Sequence, residues 1–127
     1  MAISKITDPL RVFQVNGQVC QLKAAALNSS VANNQQVIAA VTGKRIRVMG
    51  GIYQSGGAAV SNIWFKSNSG GARLTADLRV PMIDNGENFF LPIVECGYYE
   101  TSTGHGLFTD VATDSCNMTV FYIEYTP

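Results

Sequence analysis

Asn117-Met118-Thr119-Val120-Phe121-Tyr122-Ile123-Glu124-Tyr125 decides the fold class. Read with a period of two, Met118, Val120 and Tyr122 point to one side, and Phe121, Ile123 and Tyr125 to the other. β-Branched and aromatic residues of this kind suit a pleated surface, so the stretch is a strand. It is apolar on both sides. Phe89-Phe90-Leu91-Pro92-Ile93-Val94 repeats the pattern, and Ile63-Trp64-Phe65 does so on a smaller scale. The stretch 44–54 differs: Ile46, Val48 and Ile52 share one face, with Arg45 and Arg47 on the other. That is a half-buried strand with a wet outer side.

Around these runs the chain is cut by clusters of Gly, Ser, Thr and Asn. They include Asn16-Gly17, Asn28-Ser29-Ser30, Asn33-Asn34, Ser55-Gly56-Gly57, Asp84-Asn85-Gly86 and Thr113-Asp114-Ser115. Their spacing is that of a β-sandwich or barrel. Strands are predicted at 11–15, 18–26, 36–41, 44–54, 60–67, 73–80, 88–96, 106–111 and 117–125. Leu22 to Leu27 is open to two readings, because Lys23-Ala24-Ala25-Ala26-Leu27 favours helix by propensity. It is too short for a stable helix, and strand is preferred. Residues 1–16 read as a loosely specified N-terminal arm, and 17–127 as one all-β domain.

The chain has 127 residues, enough for one domain with a core of its own. Hydrophobic residues make up 46%, which excludes a disordered tail. Charged residues are only 14%, against an ordinary ~25%, and nine basic side chains cancel nine acidic ones. Without a basic surplus, neither a nucleic acid nor an anionic membrane is an expected partner. No apolar run reaches the ~18 residues of a membrane span. The opening MAISKITDPL has no apolar stretch of the kind a secretory signal carries. Cys20, Cys96 and Cys116 are odd in number and far apart, a poor disulfide or zinc pattern. They read as buried free thiols of a protein made in a reducing cytoplasm.

A two-layer sandwich hides only one face of each sheet. The second apolar side of the strands at 117–125, 88–96 and 60–67 therefore needs another cover. A second copy of the chain, in a closed cyclic oligomer, is the preferred one. The alternative is that the N-terminal arm or a long loop folds over that face.

Residues suited to catalysis are sparse. The single histidine, His105, stands between two glycines in Thr101-Ser102-Thr103-Gly104-His105-Gly106, and reads as an ordinary surface residue. Asp84-Asn85-Gly86-Glu87 lacks the ligand spacing of a calcium loop and reads as a hairpin turn. Gly43-Lys44 fails as a phosphate loop, because Ile38 stands where its upstream glycine belongs and Arg45 follows the lysine. Gly50-Gly51 within a strand predicts a bulge or a close backbone contact. No nucleophile–base pair can be named, so neither an enzyme nor a cofactor or metal is expected.

A further signal lies in the order of the segments. Val41-Thr42-Gly43-Lys44-Arg45-Ile46-Arg47-Val48 follows a short strand at 36–40. A Gly/Ala turn (Ser55 to Ala59), an aromatic strand closing in Lys66-Ser67, Asn85-Gly86 to Leu91-Pro92, Tyr99-Glu100-Thr101 to Leu107, and the final aromatic strand come next. Over about residues 20–125 this resembles a group of small bacteriophage virion proteins. The resemblance implies an antiparallel two-sheet jelly-roll (TNF-like) sandwich that forms a homotrimer. It also implies a capsid decoration or cement protein that binds the major capsid protein on the outer head surface and stabilises the shell. The alternative is a tail or fibre-tip module that binds a host glycan through Trp64, Tyr98 and Tyr99. Trp64, Phe90, Tyr99, Phe121 and Tyr125 are the expected trimer interface. Ile3, Ile6, Leu10, Arg11 and Phe13 are expected to form an arm that orders against the capsid or a neighbouring subunit, with a simple edge strand as the alternative.

Overall fold

The computed structural model describes residues 11–57, 59–81 and 88–127. These are all-β, with every strand pairing antiparallel and no helix among the described residues. The strands are β1 (Val12–Val15), β2 (Gln18–Gln21), β3 (Lys23–Asn28), β4 (Ala32–Ile38), β5 (Arg45–Ser55), β6 (Ser61–Ser67), β7 (Leu78–Val80), β8 (Phe89–Leu91), β9 (Tyr99–Glu100), β10 (Leu107–Ala112) and β11 (Cys116–Tyr125). One sheet runs β3-β11-β5-β8, with β9 also paired to β5; the other runs β4-β10-β6-β7; β1 and β2 form a separate hairpin.

The two larger sheets enclose the main core, to which Ile46, Val48, Tyr53, Met118 and Val120 come from one side and Ile38, Ile63, Phe65, Val80, Leu107 and Val111 from the other. Each large apolar side chain so enclosed stabilises the fold by about 1.5–3 kcal/mol. Aromatic edges lock the centre: Tyr53 meets Phe65 at 6.0 Å and Phe89 at 5.7 Å edge-on, and Phe65 stacks on Tyr99 at 5.6 Å. The Tyr53 and Tyr99 hydroxyls are buried, and neither finds a hydrogen-bond partner among the described residues. Burial pushes both phenols well above their ordinary value.

The predicted bulge is present, and it changes the face of Ile52. Phe121 pairs with Gly50 but Tyr122 pairs with Val48, so Met49 is the extra residue. Ile46 and Val48 face the main core; beyond the bulge the phase shifts, and Tyr53 and Ser55 face it instead. Ile52, expected beside Ile46 and Val48, lies on the outer face and is 39% exposed. Both glycines are required by crowding. A Cβ on Gly50 would stand 2.8 Å from the Leu91 carbonyl oxygen, and one on Gly51 2.5 Å from the Tyr53 hydroxyl.

Other boundaries differ for identifiable reasons. The predicted strand 18–26 breaks at Leu22 into β2 and β3, and the segment with helical propensity is extended, paired with β11. The predicted strand 88–96 keeps only β8, because Pro92 has no N–H to give the ladder. Only Leu78–Val80 survives of 73–80. Asn33-Asn34, read as a break, lies inside β4 as a bulge opposite β10. The turn predicted at Asp84-Asn85-Gly86-Glu87 lies outside the described residues.

A second, smaller core lies on the outer side of the five-stranded sheet. Asn16 and Gly17, both at positive φ (51° and 74°), form the two-residue turn that folds β1 onto β2. Phe13, Val15 and Cys20 of this hairpin pack on Met49, Ile123 and Tyr125. Gln18 clasps the main chain of Thr126, donating from Nε2 to its carbonyl at 2.5 Å and accepting its N–H at 3.0 Å. The second apolar side of β11 is thus covered over Ile123 and Tyr125 by the chain's own hairpin, the alternative to a second copy. The predicted boundary between arm and domain, at residue 16, falls in the turn of that hairpin.

Candidate interaction surface

Rows of directly opposed residues define the outer face of the five-stranded sheet. Toward one end, Arg47, Ile123 and Tyr125 lie beneath or beside the hairpin. Toward the other, Ala26, Thr119, Ile52 and Phe90 form one row across four strands, and Asn28, Asn117 and Gln54 form the next. Phe90 is 58% exposed, the more open of the two large apolar side chains in the row. A shallow depression of about 200 Å³ lies along Ala26, Thr119 and Ile52 and the amide row, bordered also by Asn88 and Met118. Neither row carries a charged side chain. Half of the patch offers methyl and aromatic surface, and half offers amide groups that both donate and accept hydrogen bonds.

At the covered end, charge is concentrated and internally satisfied. Glu100 accepts hydrogen bonds from the Tyr125 hydroxyl at 2.5 Å, Arg47 Nε at 3.1 Å and Arg45 at 3.3 Å, and the Arg47 guanidinium lies 4.9 Å from the Tyr125 ring centre. Burial pushes the Glu100 carboxyl up, but the hydrogen bonds from Tyr125 and Arg47 and the two guanidinium charges outweigh it and hold it below its ordinary value.

The five aromatics expected at a subunit interface separate into three environments. Tyr99 belongs to the main core and Tyr125 to the second one, so neither needs a partner to leave water. Trp64, on the outer side of the other sheet, is half-buried under the Arg73 guanidinium at 4.3 Å from its ring centre. Phe121 is half-buried. Phe90 alone of the five stands in the open. Tyr98, a glycan candidate beside Trp64 and Tyr99, is exposed and donates its hydroxyl to the Pro92 carbonyl at 2.6 Å.

Of the residues expected in a capsid-binding arm, Ile3, Ile6 and Leu10 lie outside the described residues. Arg11 is exposed, its guanidinium 5.1 Å from the Phe13 ring centre. Phe13 is a correction: at 6% exposure it is a core residue of the hairpin and is not offered to a partner. The thiols also need correcting. Cys20 and Cys116 are buried and free, but Cys96 is exposed. Burial pushes the Cys116 thiol up to about 11.

His105 is held in place. The Ser67 hydroxyl accepts the Ser102 N–H at 2.9 Å and lies 2.9 Å from His105 Nδ1, to which it donates when the imidazole is neutral with its proton on Nε2. Ser67 is buried, and the pair ties the 102–105 loop to β6. Among the described residues no group of three or more His, Cys, Asp or Glu is placed to hold a metal ion. The amide row had little sequence signal: Asn28 was read as part of a turn cluster and Asn117 as the start of a strand, and their alignment depends on strand register. No protein-family model matches the chain, and no curated protein is found to be similar to it.

Proposed function

We propose that the chain is a bacteriophage structural protein, a jelly-roll (TNF-like) sandwich that forms a homotrimer and decorates the outer head surface, binding the major capsid protein and stabilising the shell. The strand order supports the jelly-roll reading. With β3 to β8, β10 and β11 lettered A to H, the sheets run A-H-C-F and B-G-D-E, the interleaved pattern of two Greek keys. The observation that carries the reading is the uncharged row of Ala26, Thr119, Ile52 and Phe90 beside a row of amides, left uncovered by the described residues of the chain. Such a patch suits a contact between copies of the chain, where burial of Phe90 and Ile52 gives affinity and neutral amides give register. The trimer turns three weak attachments to the shell into one strong one, because the second and third are intramolecular. The order of segments shared with small virion proteins points the same way.

Light scattering of the purified chain tests the assembly, and addition to undecorated heads tests the attachment. The expected particle has three times the 13.7 kDa chain mass, and Phe90→Ser reduces it to the monomer without unfolding it. A wild-type monomer that leaves heads undecorated overturns the proposal.

A further inference from the structure

On the outer side of the four-stranded sheet, one side chain from each of three adjacent strands meets at a single point. Lys66 comes from β6, Asp110 from the central β10, and Asn34 from β4. The Lys66 ammonium lies 3.0 Å from Asp110 Oδ2 and 2.5 Å from Asn34 Oδ1. The second Asp110 oxygen accepts the Asn34 main-chain N–H at 2.7 Å, and the Asn34 side-chain oxygen also accepts the Gly70 N–H at 2.8 Å. Asn34 reaches this position because β4 bulges opposite Asp110: Gln35 pairs with Thr109 and Ala32 with Val111. Asn34 takes a left-handed conformation there, at φ 57°.

A lysine–carboxylate pair needs no amide to be stable. Here the carboxamide is placed on the amine, and its carbonyl oxygen receives a main-chain donor on another side. We propose that Lys66 and Asn34 join spontaneously through an isopeptide bond, with Asp110 as the proton relay.

The step balances. Lys66 transfers a proton to Asp110, leaving a neutral amine and a carboxylic acid. The amine lone pair attacks Cγ of Asn34, forming the new C–N bond, and the negative charge on Oδ1 is held by the Gly70 N–H. Asp110 gives its proton to the Asn34 side-chain nitrogen and takes one from the former lysine nitrogen. The old C–N bond breaks and ammonia leaves, taking up the remaining proton as ammonium. No oxidant or reductant is consumed. Proximity replaces the activation that an amide otherwise requires, and the Lys66 and Asp110 side chains, 10% and 8% exposed, sit where the neutral pair costs less than in water. Burial pushes the Asp110 carboxyl up, but the Asn34 N–H and Lys66 outweigh it and hold it low. The resting form is therefore the ion pair, and the bond forms slowly after folding.

Mass spectrometry of the full chain, folded and then denatured, tests this. Wild type is expected to be lighter than its sequence mass by one ammonia, after allowance for any loss of Met1, and to yield on digestion one branched peptide containing Asn34 and Lys66. Lys66→Arg, which retains the charge facing Asp110, and Asn34→Ala are both expected at full mass. A folded wild-type chain that keeps its full mass after prolonged incubation overturns the proposal, and this outcome does not depend on any variant folding.

Discussion

Phe13→Ala, compared with Val12→Ala one residue away, separates a hairpin that belongs to the domain from an arm reserved for a partner. Phe13 is 6% exposed and packs in the second core with Met49, Ile123 and Tyr125, whereas Val12 is 49% exposed on the hairpin's outer side. Withdrawing a phenyl ring from water is worth about 2–3 kcal/mol, and the hole it leaves brings Phe→Ala losses to about 3–5 kcal/mol. A surface hairpin can settle partly into such a hole, so the lower end applies: about 3 kcal/mol, or roughly 10 °C in Tm for a domain of this size. Val12→Ala removes little that is buried and should cost about 0.5 kcal/mol or less. Urea unfolding followed by Trp64, the chain's single tryptophan, reports the whole sandwich from the opposite sheet. Hydrogen exchange at the Phe13–Cys20 pair reports the hairpin itself. If Phe13→Ala matched Val12→Ala in both readouts, the hairpin would not be part of the folded body, and the reasoning from burial would fail.

Gly50→Ala should destabilise the chain by about 2 kcal/mol, because its Cβ must displace the Leu91 carbonyl and the adjoining Ile93; the shift in urea midpoint measures it. Glu100 has a depressed carboxyl pKa in the folded state, so its contribution is complete above the unfolded value of about 4.3 and fades as pH falls through the folded one. Glu100→Gln should therefore lose stability against wild type at about pH 7, with the difference narrowing at about pH 3, measured as paired urea midpoints.

The sandwich was legible because its strands are short, branched or aromatic, and separated by turn residues. The two-sided pattern of β11 was legible too, and it correctly demanded a second cover. What supplied that cover was not, because the pattern records that Ile123 and Tyr125 leave water and not whose side chains meet them. The face of Ile52 was lost at the bulge: Gly50-Gly51 announces an irregularity, but only the pairing with β11 reveals that Met49 is the extra residue. Lys66, Asn34 and Asp110 gave no signal at all. They lie far apart along the chain and become neighbours only when β4 and β6 flank β10.

The clasp between Gln18 and Thr126 joins residues 108 positions apart. A ribosome therefore delivers Phe13 and Val15 long before it delivers Ile123 and Tyr125, on which they rest. Throughout that interval the nascent hairpin has no surface to dock on, and its apolar side is open to chaperones or to the hairpins of neighbouring nascent chains. Docking is then a late, non-local event, of the kind that slows β-rich proteins. Slowing elongation would lengthen this exposure, so the yield of native protein should depend on how quickly β11 emerges.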